Sequence, residues 1–324
     1  MTYTRRKALG TLTAASAALA QAQRPSRKVW NPKLGILARF TEGNLAFAKK
    51  EGFTSLQLSA EKATLDPNMT DEQLEKVKAT ILSFGLYVSS LGATQNHIQT
   101  DPEQRSRSNA AFAKVIELAG RLGVQHVATA SGTIPGRPLA EQVDEIVRVY
   151  TEKYFPACEK HNVKILWEPW AGGPNIATGP VGFEALFKAF NNSPHVGLQY
   201  DPSHLVWQFM DPIQCARDFV DKIYDVHLKD TEIFWPILRK VGIHPLNNQR
   251  WWRFRLPGFG LVDWKAFFTV LMDAGYQGAM NIEHEDELYY PPYSGAEFTE
   301  QFKAGYRIAH RFLRQLVPEL SAGL

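Results

Sequence analysis

The sequence predicts an α/β protein, a (β/α)8 TIM barrel. Three observations predict it: the length, a regular alternation of two hydrophobic periods, and the polar residues that close the last four strands. The chain has 324 residues, 44% hydrophobic and 21% charged, enough for a barrel of about 250 residues with extensions. That balance excludes disorder as the main state. Short apolar runs at 34–38, 53–58, 87–93, 124–130, 163–168, 196–201, 223–229 and 278–283 read as eight strands.

Between the strands lie segments with apolar residues at three- and four-residue steps, such as TDEQLEKVKATILSFG, NAAFAKVIELAGRLG and EQVDEIVRVYTEKYFPACEKHN. These read as amphipathic helices. Gly52, Gly85, Gly123 and Gly275 stand where left-handed C-caps belong, and Thr70 with Gln73 spells a capping box. Asp263 before Trp264 marks another helix start. The seventh and eighth strands start 55 residues apart, which predicts an insertion at about 231–257. No Gly/Ser linker divides residues 30–324, so one barrel domain is expected there. Cys158 and Cys215, each in a helical segment, read as small buried hydrophobes.

The first 22 residues have a basic start, a small-residue apolar stretch and A-x-A sites, the pattern of a secretory signal. Thr4-Arg5-Arg6-Lys7-Ala8-Leu9 resembles a twin-arginine signal. The expectation is a signal peptide over 1–22, a linker over 23–29 and a periplasmic mature protein. Removing 1–22 takes away three cations and no acids, so the net charge falls from +3 to zero. A neutral mature chain argues against nucleic acid as a partner. No apolar run is long enough to span a membrane.

The last four strands read VKILWE, VGLQYD, IYDVHLK and GAMNIE. Successive strand residues face opposite ways. One face carries large apolar side chains for the outer helices. The other brings Glu168, Asp201, His227 and Glu283 inward at the carboxy-terminal ends, where barrels keep their active sites. Three carboxylates and an imidazole converging would repel unless a cation neutralised them. Oxygen-rich ligation with one nitrogen suits a single divalent ion: Mn²⁺ first, then Co²⁺, Mg²⁺ or Zn²⁺. Gln199, Asp225 and Asn281, two residues earlier on the same face, either orient these ligands or form a polar plug.

Glu168-Pro169, Asp201-Pro202-Ser203-His204, His227-Leu228-Lys229-Asp230 and Glu283 resemble the signature of the xylose-isomerase-like sugar isomerases and epimerases. Ketose 3-epimerases, inosose-processing enzymes and hydroxypyruvate isomerases are members of that superfamily. The resemblance implies that the four residues bind one divalent metal. It also implies that Glu168 and Glu283 act as acid and base on opposite sides of the substrate, and that His204 touches a substrate oxygen. Where ketose 3-epimerases carry a second glutamate and an arginine, this chain has Pro174 and Ile233.

A divalent ion chelating a carbonyl and its neighbouring hydroxyl acidifies the intervening C–H by stabilising an enediolate. Returning the proton gives isomerisation or epimerisation of a sugar, keto-sugar or polyol. Losing a β-substituent makes the same site a lyase, a dehydratase or an enzyme acting on a 3-keto-glycoside. Lys229, inward by the same alternation, reads as a contact to a substrate oxygen or as a structural salt bridge. Asn96 and His97, after the third strand, and Trp170, after the fifth, are further candidates for the pocket, His97 and Trp170 as substrate-binding residues. His284 alternates outward and reads as structural; Glu285 and Asp286 receive no role.

The insertion mixes Arg239, Lys240, Arg250, Arg253 and Arg255 with Trp235, Trp251 and Trp252. It reads as a lid over a carbohydrate or as a contact between subunits of a homo-oligomer. Two competing readings are a three-zinc apurinic endonuclease, which needs more histidines on early strands, and a sugar-binding barrel without turnover.

Overall fold

The computed structural model describes residues 30–289 and 291–317. The expected signal peptide and linker lie outside the described residues. Strands β1 (Lys33–Ala38), β2 (Ser55–Ser59), β3 (Tyr87–Gly92), β4 (His126–Thr129), β5 (Lys164–Trp167), β6 (Val196–Tyr200), β7 (Ile223–Leu228) and β10 (Ala279–Ile282) form a closed parallel barrel. β10 closes it by pairing with both β1 and β7. All eight expected strands are present, shorter by a residue or two at most ends.

The helices follow the strands: α1 (Glu42–Lys50), α2 (Asp71–Phe84), α3 (Pro102–Leu122), α4 (Leu139–Lys153), α5 (Phe155–His161), α6 (Pro180–Ala189), α7 (Pro202–Val206) and α8 (Pro212–Phe219). α9 (Trp235–Val241) belongs to the insertion, and α10 (Trp264–Asp273) and α11 (Glu300–Leu313) complete the ring. Thr70 and Gln73 form the reciprocal capping box of α2, and Gly85 ends that helix at φ 63°. The outward strand residues pack as alternation requires. Trp167 lies 5.4 Å from Phe187 of α6, and Tyr200 stacks 5.7 Å from Phe267 of α10. Cys158 and Cys215 are buried free thiols, and burial raises both to about 12.

Two register shifts interrupt the barrel, one between Leu56 and Gln57 in the β2–β3 pairing and one between Leu198 and Gln199 in the β6–β7 pairing. The first leaves Ser89 as an extra residue. Consecutive Ser89 and Ser90 therefore both reach Asp225 in the interior, at 3.1 and 2.6 Å, which strict alternation would forbid.

The insertion is structured. β8 (Asp230–Ile233) pairs antiparallel with β9 (Trp252–Arg255), with α9 between them. Asp230 anchors the hairpin by accepting from the backbone N–H of Gly258 and Val262 and from Trp264 Nε1. Among the described residues no helix is long and apolar enough to cross a membrane.

Candidate functional site

Glu168, Asp201 and Glu283 each follow the last residue of β5, β6 and β10, and His227 sits at the end of β7. One ligand atom from each lies within 4.8 Å of all the others. His227 Nδ1 is 3.1 Å from Glu168 Oε1, 3.1 Å from Glu283 Oε2 and 4.0 Å from Asp201 Oδ2. Asp201 is split between two tasks. Its Oδ1 caps α7 by accepting from the Ser203 N–H at 2.8 Å, while the buried Oδ2 faces the Lys229 ammonium at 3.3 Å and His204 Nε2 at 3.6 Å. A buried carboxylate is costly unless opposite charge faces it, and the Lys229 ammonium supplies part of that charge here. Three carboxylates and one imidazole converging in this way fit a hard or borderline divalent metal.

The charges around the site are strongly coupled. Burial works against the charge of Glu168, but His227 and His204 outweigh it and hold the carboxyl well below its usual range. Burial likewise disfavours a charged His227, yet Glu283 and Glu168 push the ring well above the ordinary histidine value. For Glu283, burial and Glu168 press upward while Lys229 and His227 prevail and lower it. The Lys229 ammonium, 1% exposed, lies 2.5 Å from Glu283 Oε2, 2.8 Å from Glu285 Oε2 and 3.3 Å from Asp201 Oδ2. Burial opposes its charge, and Glu283, Glu285 and Asp201 hold it well above the usual lysine value.

Two adjoining cavities open here. One, of about 330 Å³, reaches Gln57, Glu168, Gln199, His227 and Glu283; the other, of about 140 Å³, is lined by Trp170, His204, Lys229, Glu283 and Glu285 among others. A third cavity, of about 340 Å³, lies away from this chemistry beside α3 and α4. His204 Nε2 stands 3.3 Å from Glu168 Oε1 and 3.3 Å from Lys229 Nζ. Trp170 is held by two glycines: a Cβ at Gly172 or Gly173 would come within 2.7 or 2.3 Å of the indole.

His97 is not brought to the pocket. It lies fully buried behind Thr129, with Nε2 3.0 Å from Thr129 Oγ1 and Nδ1 2.8 Å from the Tyr154 hydroxyl. Burial lowers it to about 3, so it is a neutral core histidine. The physical reason is that β3 ends at Gly92 and the intervening loop has no period to carry the alternation forward. Asn96 bridges backbone groups of Thr133 and Ile98. His284 points outward as expected, stacked 4.0 Å from Phe302 of α11.

Gln199, Asp225 and Asn281 form a buried network one layer below the ligands, with Asp225 accepting from Gln199, Asn281, Ser89 and Ser90. Gln57, which the sequence reading passed over, is the network member that touches a ligand: its Oε1 lies 2.5 Å from His227 Nε2. The alternation of Leu56, Gln57 and Leu58 in β2 was the available signal. Glu285 was likewise missed, although it continues the inward phase of Asn281 and Glu283.

The insertion hairpin packs behind the site. Phe254 lies 4.3 Å from Lys229 Nζ and 5.2 Å from the His204 ring, and Trp252 stacks 4.7 Å from Trp207. Arg253 and Arg255 are tied to Glu232, Glu287 and Asp286.

The family described as the xylose isomerase-like TIM barrel matches residues 45–316. This chain belongs to that family. Among its relatives, the uncharacterized protein YfiH of Bacillus subtilis (strain 168) is 27% identical over 318 residues, covering 86% of this chain and 95% of that protein. An inosose dehydratase of Clostridium tetani is 34% identical over 93 residues, a match spanning 28% of this chain and 31% of that enzyme. Among solved structures, the 3-keto-D-glucoside 4-epimerase YcjR of E. coli superposes with a TM-score of 0.65 at 17% identity, covering 88% of this chain and all of that one. That likeness is one of fold.

Proposed function

We propose that this xylose isomerase-like barrel is a divalent-metal-dependent isomerase or epimerase of a sugar, keto-sugar or polyol, with Mn²⁺ as the first candidate ion. The observation that carries this reading is the convergence of Glu168, Asp201, His227 and Glu283, one ligand atom of each within 4.8 Å of the others. A divalent ion held there would polarise a carbonyl and its neighbouring hydroxyl and so acidify the C–H between them. The two glutamates then have distinct surroundings for moving that proton. Both border His227, but Glu168 has His204 on its other side, whereas Glu283 has Lys229. One removes the proton and the other returns it, a contribution of about 10²–10⁴-fold for positioned acid–base groups. Lys229 and His204 offer donors to substrate oxygens, and Trp170 offers an apolar ring to a sugar face.

A second reading, elimination, is favoured by Glu285. Partial burial and the charge of Glu283 push its carboxyl up against the opposing pull of Lys229. A carboxyl shifted that way at the pocket mouth, 2.8 Å from Lys229 Nζ, is a further group that could pass a proton to a leaving hydroxyl, the step a lyase needs. The match to an inosose dehydratase supports the same alternative. Incubating the metal-loaded protein with a panel of keto-sugars and inososes in D₂O tests both. Deuterium at the carbon beside the carbonyl of recovered or epimeric sugar is the expected result, an unsaturated product favours elimination, and no exchange with any substrate refutes the proposal.

We also infer that residues 1–22 direct export to the periplasm and that the mature protein acts on a free carbohydrate, not on nucleic acid. Pairing of Arg253 and Arg255 with acids of the same chain supports the latter. Amino-terminal sequencing of the periplasmic fraction checks the former. The apolar exposure of Trp235, Ile243 and Leu246 on the insertion supports a homo-oligomer, which sedimentation tests.

A further inference from the structure

We propose that Gln57 is a positioning residue that fixes His227 with its proton on Nε2 and its Nδ1 turned to the metal. The inference rests on the metal reading above and adds to it which nitrogen ligates and what decides it.

The argument follows donors and acceptors along one buried chain. Asp225 lies deep in the barrel, ringed by groups that donate: Val226 N–H and Asn281 Nδ2 at 3.0 and 3.1 Å on Oδ1, and Ser90 Oγ at 2.6 Å on Oδ2. An acceptor there obliges Gln199 to turn its NH₂ inward, and Gln199 Nε2 is 3.1 Å from Asp225 Oδ2. The second hydrogen of that NH₂ points to Gln57 Oε1 at 2.9 Å. Gln57 must therefore present its carbonyl oxygen on this side, and the same oxygen is 2.5 Å from His227 Nε2. An oxygen acceptor admits only an N–H. Nε2 therefore carries a proton that it keeps, and Nδ1, which faces Glu168 and Glu283 at 3.1 Å each, is the nitrogen that gives up its proton when a metal binds. The register shift at Gln57 belongs to the same arrangement, because it lets Ser89 and Ser90 both hold Asp225.

Three proteins test this: wild type, Gln57→Leu, which keeps volume and removes the acceptor, and Gln57→Glu, which restores an oxygen there. The readouts are Mn²⁺ affinity by titration and the ¹⁵N spectrum of His227, recorded metal-free and Zn²⁺-loaded, with thermal unfolding as the check on folding. We expect a slowly exchanging Nε2–H in wild type, Zn²⁺ on Nδ1, and both retained in Gln57→Glu. Gln57→Leu is expected to lose the protected Nε2–H and to bind Mn²⁺ about 10–100-fold more weakly. A freely exchanging Nε2–H in wild type, ligation through Nε2, or Mn²⁺ affinity in Gln57→Leu within about twofold of wild type overturns the proposal. If wild type binds no metal, the metal reading fails by itself, and the metal-free Nε2–H signal still decides the role of Gln57. If Gln57→Leu does not fold, the wild-type spectrum and Gln57→Glu decide it.

Discussion

Lys229 shows how much a single side chain can be asked to do in this barrel. Its ammonium faces Glu283, Glu285 and Asp201 from a fully buried position, with Phe254 over it. Removing one partner of a buried ionic cluster leaves the others uncompensated, at about 3–5 kcal/mol. Lys229→Met should therefore unfold about that much more easily in urea without added metal, and a loss under 1 kcal/mol would show that the acids find other partners. A second residue-scale prediction concerns pH. Burial against Phe302 lowers His284 to about 4, against an ordinary value of about 6.5. Between those values the unfolded chain binds a proton that the folded one does not, so stability falls as pH drops through that window. His284→Phe should show a shallower loss of urea midpoint between pH 7 and 4.5 than wild type; equal slopes would contradict the assignment. At this scale the four ligands were legible because period-two alternation is rigid up to a strand's last residue. His97 was misplaced because a loop carries no such phase. Gln57 was legible in principle but inconspicuous, since an inward amide on an early strand has no charge to advertise it.

Among the elements, the hairpin of β8 and β9 is the one whose form was least readable. Its sequence mixes arginines and tryptophans without either hydrophobic period, so position and length could be inferred but not pairing. The structure explains the mixture: Arg253 and Arg255 meet Glu232, Glu287 and Asp286, while Trp252 and Phe254 pack on Trp207 and the His204–Lys229 side of the site. The hairpin acts as a buttress for Lys229. An ammonium over an aromatic face is worth about 0.5–2 kcal/mol. Phe254→Ala should raise KM about tenfold for whichever sugar exchanges deuterium, with metal content unchanged. Steady-state kinetics beside metal analysis checks this; lost metal with an unchanged KM would place Phe254 with the ligands instead. The bulge at Ser89 was also hidden, because an extra residue in a strand leaves the local apolar pattern intact while changing which neighbours face inward.

For the molecule as a whole, barrel closure was legible from eight repeats of one βα unit, and closure decides where the site lies. β10, β7, β6 and β5 are consecutive neighbours around the barrel, so four ligands spread over residues 168–283 converge at one end. A cation there would bridge half the wall. Binding to the folded state alone adds about 2.7 kcal/mol at a hundredfold excess over Kd. The metal-loaded protein should therefore melt several degrees above the chelator-treated one and recover on adding Mn²⁺; coincident melting curves would mean that the folded state holds no ion. The most direct test of the account is elemental analysis of the purified protein beside Glu283→Ala. One Mn, Co, Mg or Zn per chain, lost in the variant, is the predicted result, whereas three zincs per chain, or no metal even after reconstitution, would contradict it.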